Sequence, residues 1–188
     1  MNRILDAITR RGVAGAVAQG CIKVARPLLD LRMVVRYRRR IDSSVRPSSV
    51  DGYRVEVLSG DSIPAALEEA LRINPDSTQT PEDVQLLAVA RSRSDGRLVA
   101  YWGFRRDKED LLDWGLHVAP EHRRRGITKA LFAVALAAAP GDGWVYTGTD
   151  IFNLGASRTM NALELVPFQL RISLQTVGGV RVVRQWRL

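Results

Sequence analysis

The stretch from Val118 to Leu131 constrains this chain more than any other. The residues before it, Leu111-Leu112-Asp113-Trp114-Gly115-Leu116-His117-Val118, are apolar enough for a buried strand. After it, Ile127, Ala130, Leu131 and Val134 recur at helical spacing. Arg123, Arg124, Arg125 and Gly126 therefore occupy a turn from strand to helix. A helix start presents unpaired N–H groups and a dipole end worth about +0.5 of a charge. Glycine allows close approach to the backbone, and the arginines add full charges. Taken alone, the turn also fits a basic helix start that faces water. With the strand before it and the residues downstream, it points to a site for a polyanion, most naturally a pyrophosphate.

Arg123-Arg124-Arg125-Gly126-Ile127-Thr128 resembles the Arg/Gln-x-x-Gly-x-Gly/Ala loop of the GCN5-related N-acetyltransferases. Val118, Pro120, Gly126, Ile127 and Leu131 fit the same pattern. The resemblance implies that Arg123 to Thr128 hold the pyrophosphate of acetyl-CoA or another acyl-CoA. It also implies that the backbone of Val118 and Ala119 pairs with the pantetheine arm. Thr128 departs from the small residue that usually closes the loop, and its hydroxyl offers a donor instead.

Asn153-Leu154-Gly155-Ala156-Ser157-Arg158-Thr159-Met160 resembles the family's second segment, an Asn at a strand end with a small residue three positions on. Asn153 is thereby expected to bond pantetheine amides, and an Asn there also serves as a helix cap. Met160 stands where many relatives carry a Tyr that protonates the departing thiolate, and methionine has no proton to give. Leu163-Glu164-Leu165 replaces the usual Leu-Gly-Phe ending. The resemblance runs from near Tyr53 to the C-terminus and is specific mainly in these two segments.

The chemistry this implies is direct attack of an amine on a thioester, with strand N–H groups stabilising the oxyanion. A base must first remove a proton from the amine. Asp113 and His117 on the central strand are the candidates, and spacing by four places them on one face of a regular strand. The family's bulge in this strand would change that parity. Both residues also suit structural hydrogen-bonding roles. Trp102 and Trp114 suit either an acceptor pocket or the core.

The single cysteine, Cys21, excludes an intrachain disulfide framework and a cysteine metal cluster. His117 and His122 sit in no recognisable metal motif, so no metal is expected. Residues 1–50 hold 11 Lys/Arg against 3 Asp/Glu, a balance of +8, whereas residues 51–188 hold 17 of each. That asymmetry divides the chain into a basic, partly helical N-terminal extension and linker (1–50) and an acetyltransferase-like domain (51–188). Ile4, Leu5 and Ile8 suit a short amphipathic helix, and a second helix is expected from about Pro27 towards Arg40. Lys23, Arg26, Asp30 and Arg32 break every window long enough for a membrane span, and no signal-peptide pattern stands out. Ser43 to Ser49 reads as a linker.

Strands are expected at Tyr53–Leu58, Val84–Arg91, Leu98–Phe104, Leu111–Val118, Trp144–Thr149, Gln169–Val177 and Val180–Arg187. Ser94-Asp95-Gly96 and Gly178-Gly179 read as hairpin turns. Helices are expected around Ala66–Leu71, capped by Asp61 or Ser62, and over Leu154–Leu163. The fold class is α+β (α/β): an acyl-CoA N-acyltransferase-like, mixed and mostly antiparallel twisted sheet flanked by helices. The implied function is acyl transfer to a small-molecule or peptide amine. Two alternatives stand beside it: use of a longer acyl chain or an acyl carrier protein, and a CoA-binding protein without catalysis. Residues 1–50 suit an acidic carrier or an anionic membrane surface, or packing on the domain. Nucleic acid is the weaker anionic partner, because no recognition motif is present. A homodimer is compatible, and the location expected is cytoplasmic, peripheral to a membrane if residues 1–50 lie on one.

Overall fold

Apolar alternation and well-placed turns build an antiparallel meander from β2 (Tyr53–Leu58), β3 (Leu86–Ser92), β4 (Leu98–Asp107) and β5 (Asp110–Val118). Gly96 turns β3 into β4 at φ +70°, as the Ser-Asp-Gly motif requires. β1 (Leu29–Arg40), β6 (Trp144–Asp150), β7 (Val166–Thr176) and β8 (Arg181–Arg187) bring the sheet to eight strands, in the order β2-β3-β4-β5-β6-β1-β7-β8. β6 runs parallel to β5, which demands a crossover, and helix α2 (Ile127–Ala138) supplies it. Helices α1 (Ile63–Ile73) and α3 (Leu154–Ala162) complete the elements, so the expected mixed sheet with flanking helices is what forms. This computed structural model describes residues 29–42, 44–75, 84–139, 141–176 and 181–188. The expected helix around Ile4–Ile8, Cys21 and the Gly178-Gly179 turn lie outside them.

The chain forms two compact units, Arg40–Tyr146 and Met1–Arg39 with Thr147–Leu188. In the first unit the ladder register sorts side chains onto two faces of the meander. One face carries Tyr53, Ala88, Ala90, Ala100, Trp102 and Phe104. Its alanines leave room for α2, which packs on β2, β3 and β4 and stacks Phe132 on Trp102 at 5.1 Å. The other face carries Leu87, Val89 and Tyr101, and Ile63, Ala66, Leu67 and Ala70 of α1 close it. Complete burial of side chains such as Trp102, Leu87 and Leu131 stabilises the unit by about 1.5–3 kcal/mol each. Ser62 stands at the α1 N-cap, but its hydroxyl donates to the Ser59 carbonyl at 2.8 Å and caps nothing. Arg91 ties β3 to α1 through a forked pair with Glu69, at 2.7 and 3.2 Å.

The second unit contains a correction. The helix expected from about Pro27 towards Arg40 does not form, because from Leu29 the chain is strand β1, antiparallel to β7. Leu31, Met33 and Val35 alternate with Arg32, Val34 and Arg36, a period of two that a ladder partner turns into a strand. β7 in turn pairs with β8. This topology relocates the charge. Residues 1–39 with 147–188 hold 14 Lys/Arg against 4 Asp/Glu, and residues 40–146 hold 14 against 16. The basic character thus belongs to a unit that includes the C-terminal strands. Among the described residues no helix is long and apolar enough to cross a membrane.

Candidate functional site

β5 is laddered unequally along its two edges. Towards β4 it pairs over its whole length, but towards β6 the ladder holds Leu111↔Val145 and Leu112↔Tyr146. From Asp113 onward that second edge has no ladder partner among the described residues. The Ala119 N–H donates to the Val99 carbonyl at 2.9 Å. Antiparallel alternation then turns the N–H groups of His117 and Ala119 towards β4, and those of Leu116 and Val118 to the open edge. The Val118 carbonyl on that edge accepts the Arg123 Nε–H at 3.0 Å. Ala119 is fully engaged, since its carbonyl accepts the His122 N–H at 2.9 Å. Of the two residues expected to pair with a pantetheine arm, Val118 alone offers an N–H to the open edge.

Beyond Val118 a single 3-10 turn, Pro120–His122, leads into the arginine loop. Arg124 takes φ +62° and Gly126 φ +80°. Two left-handed residues so close together curl the backbone, a conformation in which successive N–H groups gather on one side. Gly126 is the N-cap of α2, and no side chain caps that helix. The first intrahelical bond here is Ala130 N–H to Gly126 O, so the N–H groups of Ile127, Thr128 and Lys129 have no helical acceptor. A Cβ built on Gly126 would meet nothing within 4 Å, which leaves open space over the turn. Arg124 and Arg125 are exposed, Arg123 and Thr128 half-buried, and Ile127 buried. Loose donors, open space and three cations together suit a pyrophosphate.

The loop is anchored from β2. The Tyr53 hydroxyl lies 2.8 Å from His122 Nδ1 and accepts from Arg125 Nη1 at 3.1 Å. Local sequence gave no sign of this contact, because Tyr53 and Arg125 are 72 positions apart.

The structure separates the two candidate bases. Gly103 pairs with Gly115 and Phe104 with Asp113, so Trp114 is an extra residue in β5, a bulge. Parity flips across it. Asp113 lies on the α2 face, where its carboxylate accepts the Trp102 indole N–H at 3.0 Å. His117 lies on the α1 face, stacked on Tyr101 with ring centroids 6.1 Å apart. Asp113 and His117 therefore do not share a face. His117 Nε2 is buried with no hydrogen-bond partner among the described residues. Burial pushes the His117 pKa below the ordinary imidazole value, the nearby Arg123 charge adds to this, and Glu121 opposes it.

Trp102 and Trp114 are both buried, on opposite faces. Trp114 joins the α1 core beside Tyr101. Asn153 belongs to the other unit, where its side-chain oxygen accepts the Ala156 N–H at 3.1 Å and caps α3. Met160 is buried on the same helix.

The family model described as "Acetyltransferase (GNAT) family" matches residues 59–162, more than half of the chain. No curated protein matches. Several solved structures share the fold. A GCN5-related N-acetyltransferase from Kribbella flavida has a TM-score of 0.60 at 18% identity, covering 89% of this chain and 65% of that one. One from Sphaerobacter thermophilus scores 0.56 at 14% identity, covering 90% and 56%. A putative GNAT-family acetyltransferase from Novosphingobium aromaticivorans scores 0.55 at 21% identity, covering 77% and 63%. The chain thus spans between 56% and 65% of the length of these relatives.

Proposed function

Because the chain belongs to the GNAT acetyltransferase family, we propose that it is an acyl-CoA-dependent N-acyltransferase acting on an amine. Acetyl-CoA is the first donor to test. The observation that carries this reading is the corner itself: an unladdered β5 edge that runs directly into the Arg124–Gly126 turn and the uncapped start of α2. Arg123, Arg124, Arg125 and the N–H groups of Gly126, Ile127 and Thr128 would hold the pyrophosphate. Val118 and Leu116 would pair with the pantetheine arm through their outward N–H groups. Asn153, in the other unit, caps α3 through its side-chain oxygen.

A bound acyl-CoA supplies an activated thioester carbonyl, and the chain's own residues do the rest. N–H groups on the open edge of β5 provide preorganised donors for a developing oxyanion. His117 is the better base of the two candidates. Its Nε2 is uncommitted, and its lowered pKa keeps the ring neutral near pH 7 and able to accept a proton from the ammonium form of the acceptor. Asp113, bonded to Trp102, holds the opposite face together. Met160 has no ionisable proton, so that position supplies no acid.

Calorimetric titration with acetyl-CoA, followed by transfer assays over a panel of amines, tests the proposal. Absence of binding at millimolar donor would end it. Binding without transfer to any amine would leave a CoA-binding protein. A panel of acyl lengths separates acetyl from longer donors. An acidic carrier or an anionic membrane would meet the basic unit, Met1–Arg39 with Thr147–Leu188, and its docking would weaken in moderate salt.

A further inference from the structure

Tyr53 is 5% exposed, and its backbone is pinned on every side. Its N–H donates to Val50 O at 3.1 Å, its carbonyl accepts the Arg93 Nε–H at 3.1 Å, and it pairs with Ser92 in the β2–β3 ladder. The phenol is thus carried on a rigid post. Its ring meets the His122 ring edge-on, with centroids 5.6 Å apart and planes at 88°. Its oxygen accepts from Arg125 Nη1 and shares a second hydrogen bond with His122 Nδ1. One hydroxyl therefore grips both ends of the four-residue loop His122–Arg125.

That loop needs a grip. Arg124 holds a left-handed φ of +62° without being glycine. Such a conformation persists only where the surroundings enforce it. Exposed arginines otherwise sample many rotamers, and their ordering opposes ligand binding.

We propose that Tyr53 is the positioning residue of the anion loop: its hydroxyl sets the Arg125 guanidinium and the Arg124 backbone in their anion-ready arrangement before a ligand arrives. This rests on the reading of the loop as a phosphate site. Tyr53 does not touch the ligand. It acts through Arg125 and His122, so its influence is confined to ligands that carry phosphate.

The test compares wild type with Tyr53→Phe, which keeps the ring and removes only the hydroxyl. Three probes are titrated: CoA, inorganic pyrophosphate, and pantetheine, which lacks the pyrophosphate. Tyr53→Phe is expected to weaken CoA and pyrophosphate about tenfold, the scale of one hydrogen bond to a charged group, and to leave pantetheine unchanged. In an Arg125→Ala background, where the guanidinium is already gone, most of that loss should disappear. Equal weakening of all three probes would mark a general structural defect and overturn the proposal, as would no change or full additivity with Arg125→Ala. If wild type binds pyrophosphate but not CoA, the transferase reading fails, and the pyrophosphate ratio alone decides the role of Tyr53. If wild type binds neither, both fall.

Discussion

Replacing Gly103 by alanine tests the bulge that separates Asp113 from His117. Gly103 faces the extra residue Trp114, whose indole lies on the strand where a side chain would be. A Cβ at Gly103 would sit 2.6 Å from Trp114 Cε3, 3.3 Å from Cδ2 and 3.4 Å from Cζ3. Carbon contacts are comfortable at about 3.5–4.0 Å, so the indole must retreat by about 1 Å. It cannot do so freely, because Ile63, Leu67, Ala70 and Tyr101 share its core cluster. Overpacking of this kind costs about 1–3 kcal/mol. For a chain of this size, each kcal/mol lowers Tm by about 2–4 °C, which gives a fall of about 2–12 °C. Calorimetry or circular dichroism reads that fall directly. Trp114→Ala alone should cost about 3–5 kcal/mol through its cavity. The double variant should cost less than the sum by about 1 kcal/mol or more, since the added methyl then meets empty space. An unchanged Tm in Gly103→Ala, or strict additivity in the double variant, would refute the bulge packing.

The remaining predictions concern the site. If His117 is the base, kcat/KM should rise with pH through a pKa below the usual value of about 6.5. A profile flat from pH 5 to 8 would remove it from that role, and His117→Gln should lower kcat by about 10²–10⁴-fold. The same lowered pKa links to stability. The contribution is fully present above the unfolded value of about 6.5 and is lost as pH falls through the folded pKa, so His117→Gln should unfold with less acid sensitivity. Asp113→Asn keeps an oxygen for the Trp102 indole, so activity should stay within about tenfold of wild type. A loss beyond about a hundredfold would restore the carboxylate as the base. Arg124→Ala, at an exposed position, should weaken acyl-CoA binding and flatten its salt dependence without shifting Tm by more than about 2 °C, which paired titrations at two ionic strengths would check.

The corner from Val118 to Leu131 was legible in the sequence because everything in it is local. A buried strand, a left-handed glycine and a helical apolar pattern follow one another within a few turns of chain, and each imposes its geometry on near neighbours. The hairpin at Ser94-Asp95-Gly96 was readable for the same reason. β1 was misread because its apolar residues crowd together. Its alternation of Leu31, Met33 and Val35 with Arg32, Val34 and Arg36 makes a strand only when β7, more than 130 positions away, supplies a ladder.

The sequence by itself settled the fold class and the identity of the cationic groups at the turn from strand to helix. Tertiary structure decided where those groups point. One additional residue at Trp114 sends Asp113 and His117 to opposite faces, since side-chain direction in a strand depends on counting by two, and a bulge resets the count. Strand order places Arg32, Arg36 and Arg38 of β1 in the same unit as the arginines of β7 and β8. The Tyr53 grip on the loop exists because sheet registry brings together residues that the chain keeps far apart.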